Sequence, residues 1–212
     1  MHPIPGGATA QPFVTHHNSL ATDLYLRIAP ELYLKRLVIG GLPRVFEINR
    51  NFRNEGISTI HNPEFTMLEF YMAFADFEDL MPMTEALIAE TAKNICGSPV
   101  IPYQEHTLDL TPPWQRLTFT DAVCKFSGIS SDEIQSKNAV LGAAREHGLD
   151  VSSNNSLGAI LNILFENTVE SHLIQPTFIT HYPIEISPLA KRCVFQPMLT
   201  DRFELYIAGR EI

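Results

Sequence analysis

Positive charge is scarce in this sequence: 15 Lys and Arg stand against 24 Asp and Glu, a formal net charge of −9 with pI near 5.3. A chain this acidic does not coat nucleic acid through bulk charge, so any RNA contact must be local or come from another domain. An acidic surface suits cationic or metal-bound ligands. Cysteine is equally sparse. Cys96, Cys124 and Cys193 are an odd number with no C-x-x-C pair, which excludes a disulfide framework and a zinc ribbon. Long hydrophobic runs are missing: the longest, Leu157 to Phe165, is interrupted by Asn162 and cannot span a bilayer. Met1 to Gly7 lacks the basic-then-apolar pattern of a signal peptide, and the expectation is a soluble cytoplasmic protein without a membrane partner. No G-x-x-x-x-G-K-[ST], G-x-G-x-x-G or G-x-S-x-G string occurs, which removes the P-loop, the dinucleotide turn and the nucleophile elbow.

What is present begins with 212 residues, 45% of them hydrophobic, enough for one sizeable core. Residues 1–22 read as extended or loop, and Leu24 to Ile28 as a strand. Pro30 opens a helix with Leu32, Leu34, Leu37 and Val38 on its apolar face, ended by Gly40-Gly41. Residues 45–55 and 64–74 both alternate, joined by a polar loop from Gly56 to Pro63, and form a long antiparallel hairpin. Even positions, including Phe46, Ile48, Phe52, Leu68, Phe70 and Met72, make the expected core face. The odd face carries Glu47, Asn49, Asn51, Arg53, Glu55, Phe65, Met67, Glu69 and Tyr71, and no Lys. Short polar groups interleaved with aromatics suit a pocket floor; a solvated face with an incidental ion pair is the plain alternative.

Residues 77–96 read as an amphipathic helix, with Leu80, Met83, Leu87 and Ile88 inward and Gly97 as its stop. A short strand at Thr107 to Leu110 precedes a mainly helical stretch, about 111–175, read as an insertion beside the main sheet, its clearest helix at Leu157 to Leu173. Thr177 to Tyr182 and Arg202 to Ile207 are strand-like, and Ala208-Gly209-Arg210 is a hairpin turn. Leu205, Ile207 and Ile212 are expected to lack neighbouring strands.

Arg53 can bind a phosphate or carboxylate bidentately. The Phe65 ring can stack on a purine. Glu69 and Tyr71 can hold an ammonium group, and His61 and Asn62 in the loop can reach terminal phosphates; a lone loop His is otherwise just exposed. A turn at Ala208-Gly209 pairs residue 206 with 211 and puts Glu204 and Glu211 diagonally on one face. Such carboxylates can hold Mg²⁺, or be two solvated side chains. His16 and His17 are adjacent, so in a strand their rings diverge and do not share a metal.

Arg50-Asn51-Phe52-Arg53-Asn54-Glu55 followed by His61-Asn62-Pro63-Glu64-Phe65-Thr66-Met67-Leu68-Glu69 resembles motif 2 of the class II aminoacyl-tRNA synthetases. Ile4-Pro5-Gly6-Gly7-Ala8, Ala29 to Leu37, Gln175 to Thr180, Ile186 to Ala190 and Asp201 to Glu204 extend the likeness to the bacterial lysyl-specific family, with residues 130–160 matching only loosely. The resemblance implies an α+β fold, an antiparallel sheet flanked by helices, with residues 1–212 forming part of one catalytic domain. It implies ATP and L-lysine as ligands, Mg²⁺ as cofactor, tRNA(Lys) as acceptor and a homodimer.

Carried over by position, Arg53 holds the α-phosphate and the lysine carboxylate. Glu55 and the backbone near Asn62 read adenine, Phe65 stacks on it, and His61 meets the distal phosphates. Gly7, Glu31 and Glu69 surround the α-ammonium and Tyr71 the ε-ammonium, while Glu204 and Glu211 carry Mg²⁺. An anticodon-binding domain, motif 1 and motif 3 have no counterpart, so the expectation is a fold incomplete at both ends and a chain inactive by itself. A lysine ligase with a protein acceptor and a non-catalytic remnant are the competing expectations.

Overall fold

The computed structural model describes residues 1–58 and 61–212. Residues 59 and 60, inside the expected 56–63 loop, lie outside the described residues. The chain divides into two compact units, Met1–Ala75 and Asp76–Ile212.

The first unit holds two hairpins and one helix. Strands β1 (Val14–His17) and β2 (Thr22–Tyr25) pair antiparallel, where sequence suggested loop and one later strand. His16 Nδ1 lies 2.8 Å from Asp23 Oδ1, whereas His17 caps the turn by accepting from Leu20 N–H; the two rings serve different partners. Helix α1 (Glu31–Ile39) starts directly after Pro30. Of its expected apolar face only Leu34 is buried, while Leu32 and Leu37 are exposed.

Strands β3 (Arg44–Phe52) and β4 (Glu64–Met72) form the long hairpin, with Val45 opposite Tyr71, Glu47 opposite Glu69 and Asn51 opposite Phe65. Odd residues therefore share a face, as expected. The expected core face is not the buried one. Phe46 and Ile48 are 71% and 67% exposed, whereas Asn49 and Asn51 on the polar face are 7% and 0% exposed. The reason is what covers each face. Arg27 donates to Glu47 on the odd side at 2.6 Å, and Lys35 of α1 lies 5.8 Å from the centre of the Tyr71 ring. Segment 26–35 thus closes over the polar face.

The second unit is built on burial of apolar surface. Helix α2 (Phe77–Cys96) begins with a reciprocal cap between Asp76 and Asp79 and ends at Gly97 in the left-handed conformation. Its inward residues are Met81, Glu85, Ile88 and Ala92; Met83 and Leu87 point outward instead. Glu85 is tolerated inside because its carboxylate accepts from Trp114 N–H at 3.1 Å and from Arg116 at 3.3 Å.

Strands β5 (Val100–Tyr103) and β6 (His106–Asp109) form a hairpin. The expected insertion supplies strand β7 (Gln115–Thr118) before helices α3 (Phe119–Ser127), α4 (Lys137–Glu146) and α5 (Leu157–Thr168). With β8 (Thr177–Thr180), β9 (Phe203–Ile207) and β10 (Arg210–Glu211), β7 makes a sheet ordered β10-β9-β8-β7, in which only β7 and β8 run parallel.

Alternation sends neighbours on this sheet into two cores. Ile179 and Tyr206 join Phe119, Val123, Ile160, Leu164 and Phe165 under the helices. Phe178, Leu205 and Ile207 join Met81, Leu108 and Trp114 on the other side. The expectation that Leu205 and Ile207 lack neighbours is therefore overturned: they are 5% and 9% exposed, while Ile212 is 70% exposed. Among the described residues no helix is long and apolar enough to cross a membrane.

Candidate functional site

The β3–β4 hairpin builds its site from the two strand ends outward. At the loop end, Arg53, Glu55, Gly56, His61, Asn62, Pro63 and Phe65 line one cavity of about 510 Å³. All five residues expected to hold ATP are in that set. Arg53 N–H donates to Pro63 O at 2.9 Å, so the hairpin's pairing continues past Phe52 and fixes where the guanidinium emerges. The guanidinium carbon lies 5.1 Å from the Phe65 ring centre, and Nε is 3.5 Å from Ile28 O. That long bond leaves most of the Arg53 donors available to an anion, while the ring offers a face to a flat cation or base. His61 is held by Ser58: Nδ1 lies 2.8 Å from Ser58 Oγ, and His61 N–H donates to the same oxygen at 3.1 Å.

Further along the same face the chemistry changes sign. Tyr71 O–H donates to Glu69 Oε1 at 2.6 Å. Burial pushes the Glu69 carboxyl above its usual range, Glu31 adds to this, and the Tyr71 hydrogen bond, Lys35 and Arg53 oppose it. Burial and the Glu69 charge push the Tyr71 phenol up as well, so it stays a donor. Glu31, only 17% exposed, pairs with Lys35. Gly7 closes this end with φ +94; a Cβ there would come within 3.2 Å of both Ala29 and Glu31 side chains. Only glycine fits that left-handed, close-packed position. The four residues expected around the lysine ammonium groups, Gly7, Glu31, Glu69 and Tyr71, are thus linked through contact or charge in the first unit.

Two features of this site escaped the sequence. Lys35 places a resident ammonium between Glu31 and the Tyr71 ring, and its i, i+4 spacing from Glu31 was the available signal. Asn49 and Asn51 bury both amide atoms with no hydrogen-bond partner among the described residues. No local pattern distinguishes such an amide from one that is paired.

The expected metal carboxylates lie in the second unit. Glu211 pairs with Tyr206 across the β9–β10 turn, the register anticipated, so Glu204 and Glu211 are diagonal neighbours. Tyr206 O–H donates to Glu204 at 2.9 Å, and Arg202 also bonds that carboxylate. A third acid, Glu170, joins them from the turn after α5. Its carboxyl is pushed up to about 7 by burial, then by the charges of Glu166, Glu211 and Glu204. Gly209 makes this possible: at φ +74 it carries the turn within 3.4 Å of Ser171 Cα, counting from where a Cβ would sit. Gly209 N–H donates to Leu173 O at 3.0 Å. Glu170 had no sequence signal because its approach depends on this long-range docking.

An antiparallel hairpin with an arginine over a phenylalanine ring, joined in one chain to a helix-flanked sheet, is the arrangement of a class II synthetase. The profile of the class II tRNA synthetases (D, K and N) matches residues 1–212, and the chain belongs to that family. Its relatives include proteins called lysine--tRNA ligase from Actinobacillus succinogenes, 54% identical over 99% of this chain, and from Syntrophomonas wolfei, 55% identical over all of it. A Yersinia pestis protein of the same name is also 55% identical over the full chain. The chain spans about two-fifths of these relatives' length, 42% or 43% in each case.

Proposed function

We propose that this chain is the motif 2 part of a lysine--tRNA ligase, the part that grips ATP and lysine while the amino acid is activated. The observation that carries this reading is the cavity lined by Arg53, Glu55, His61, Asn62 and Phe65, on the same strand face as the Glu69–Tyr71 pair. An anion-and-base pocket on the same face as a carboxylate–phenol pair suits a nucleotide next to a dication.

In the proposed reaction a lysine carboxylate oxygen attacks the α-phosphorus of ATP. The new O–P bond forms as the bond to pyrophosphate breaks, giving lysyl-adenylate. Arg53 bridges the carboxylate and the α-phosphate, bringing the reactants together and balancing charge that grows on the phosphoryl oxygens. Phe65 and Glu55 fix the adenine, and His61, set by Ser58, meets the distal phosphates. Glu31 and Glu69 draw the α-ammonium, close to Gly7 where no side chain intervenes, and the Tyr71 oxygen orients the ε-ammonium. A substrate ammonium must displace Lys35 from part of this acidic pocket. No side chain forms a covalent intermediate; the work is positioning and neutralisation.

Glu204, Glu211 and Glu170 offer carboxylate oxygens, the donors a hard divalent cation prefers; burial raises the Glu170 carboxyl first, and the charges of Glu166, Glu211 and Glu204 add to it. Glu204 and Glu211 would hold Mg²⁺, with Glu170 beside them. When bound, Mg²⁺ would supply positive charge at this cluster of carboxylates. In the whole protein the acceptor is tRNA(Lys) and the working form a homodimer.

Lysine-dependent ATP–pyrophosphate exchange by the whole protein, followed by charging of transcript tRNA(Lys), tests the proposal. Exchange with lysine and aminoacylation of the tRNA support it. Exchange with a different amino acid, or none, overturns it, and transfer only to a protein acceptor overturns the tRNA step.

A further inference from the structure

His181, Cys193 and Asp201 place one nitrogen, one sulfur and one carboxylate oxygen within 4.8 Å of one another. None of them takes part in the site described above. They come from three points of the β8–β9 connection: His181 just after β8, Cys193 in its middle, Asp201 just before β9. The backbone holds each in place. His181 N–H donates to Arg202 O at 3.2 Å, Cys193 N–H to Leu199 O at 3.0 Å and Asp201 N–H to Lys191 O at 2.8 Å.

We propose that these three side chains bind one zinc-class divalent ion, with water as a fourth ligand. A nitrogen, a thiolate sulfur and a carboxylate oxygen are a borderline-soft donor set, which suits Zn²⁺ and its surrogate Co²⁺ and disfavours Mg²⁺. Three protein ligands leave one position open. The adjoining cavity of about 740 Å³, lined by His181 and Cys193 together with Thr118, Asp121 and Gln196, can supply water to it.

Two details prepare the imidazole. His181 sits at φ 59, a left-handed conformation uncommon for a residue with a side chain. Its Nδ1 lies 2.9 Å from Thr180 Oγ, and that hydroxyl donates its own proton to Leu117 O at 3.3 Å. The Thr180 oxygen must then accept from Nδ1–H, which leaves the lone pair on Nε2 for a metal. One resident cation competes: Lys191 Nζ is 3.8 Å from Asp201. Metal entry exchanges this long ion pair, exposed on its lysine side, for a ligand bond. The bound ion would tie both ends of the β8–β9 connection to its middle, a staple in a unit whose other cysteines, Cys96 and Cys124, are also free.

The test is a Co²⁺ titration of the 212-residue chain, read by thiolate-to-metal charge-transfer absorption, with Zn²⁺ added in competition. The expected result is one band that saturates at one equivalent, is displaced by Zn²⁺ and is lost in Cys193→Ser. His181→Gln and Asp201→Asn should each weaken binding about tenfold or more, and Thr180→Val about tenfold through the imidazole tautomer. Lys191→Met, a change at an exposed side chain that leaves the fold alone, should tighten binding several-fold. Zn²⁺ should slow alkylation of Cys193 and leave Cys96 unaffected. No thiolate band in the wild-type chain overturns the site, as does a band that survives Cys193→Ser. Unchanged affinity in both His181→Gln and Lys191→Met overturns the ligand assignment.

Discussion

The two units of this chain bury opposite kinds of surface. In the second, Phe119 stacks on Phe165 with ring centres 4.9 Å apart, Tyr182 packs on Phe119 at the same distance, and two apolar cores enclose the sheet. In the first, the buried apolar side chains among the described residues are Ile28, Ala29 and Leu34, while Asn49 and Asn51 are buried on the face toward segment 26–35 and Phe46 and Ile48 face outward. One unit is organised by the hydrophobic effect. The other keeps its polar groups dry, where charge and hydrogen bonding act strongly, and leaves its greasy face uncovered. The residues proposed to grip ATP and lysine belong to the first unit, the one organised around buried polar groups.

The largest test of this contrast is a pair of phenylalanine truncations. Phe165→Ala should cost about 3–5 kcal/mol, because the ring is 1% exposed and its loss leaves a cavity among Phe119, Tyr182 and Tyr206. Phe46→Ser, at 71% exposure, should change stability by no more than about 0.5 kcal/mol. Urea denaturation of both variants measures it. A large loss at Phe46 would mean that its face is covered in solution.

Next comes chemistry against stability at one residue. Arg53→Ala in the whole protein should lower lysine-dependent exchange by roughly 10²–10³-fold, as expected for removing a donor aimed at transition-state charge. The same change should move the unfolding free energy by only about 1 kcal/mol, since its protein contacts are one 3.5 Å bond and one ring face. Equal losses of stability and activity would recast Arg53 as a structural residue.

A smaller effect belongs to Glu170. Its folded carboxyl titrates near 7, above the ordinary carboxylate value, so the folded state holds an extra proton between about pH 4.5 and 7. The contribution to stability is therefore full below the unfolded value and lost as pH rises through 7. Glu170→Gln should stabilise the chain by about 1 kcal/mol at pH 8, after allowing for solvent screening of this half-exposed group, and give no gain at pH 4. Mg²⁺ at pH 8 should stabilise the wild type more than the variant if the trio binds it. Thermal melts at the two pH values, with and without Mg²⁺, decide both points.

How far the molecule can be read from its sequence follows the same divide. Local signals carried well. Asp76 and Gly97 bracket α2, and the β3–β4 alternation assigns every odd residue to one face, as the pairing of Asn51 with Phe65 bears out. Periodicity, however, states which side chains share a face and is silent on which face is covered; that depended on where segment 26–35 lies. The inward side of α2 was misjudged for a related reason, since burial of Glu85 rests on Trp114 N–H and Arg116, far along the chain. The parallel pairing of β7 with β8 also spans a long helical crossover that no local pattern encodes. Of the candidate site, the motif string located the residues around the cavity; Lys35 left only its i, i+4 spacing from Glu31 as a signal, and Glu170 emerged only from packing.

The finest test lies at Asn51, on the buried polar face of the β3–β4 hairpin. Asn51 is fully buried, and neither its amide nitrogen nor its oxygen has a partner among the described residues. A buried polar atom left unsatisfied costs about 1–3 kcal/mol, so a leucine of similar size should remove a penalty rather than a bond. Asn51→Leu is therefore expected to raise stability by about 1 kcal/mol while slowing exchange in the whole protein several-fold. Higher stability with exchange intact would make Asn51 an idle polar residue under the pocket. Lower stability would mean that water satisfies the amide in solution. The expected combination, a gain in stability with a loss of rate, is the mark of a group kept in an unfavourable place for the ligand's sake.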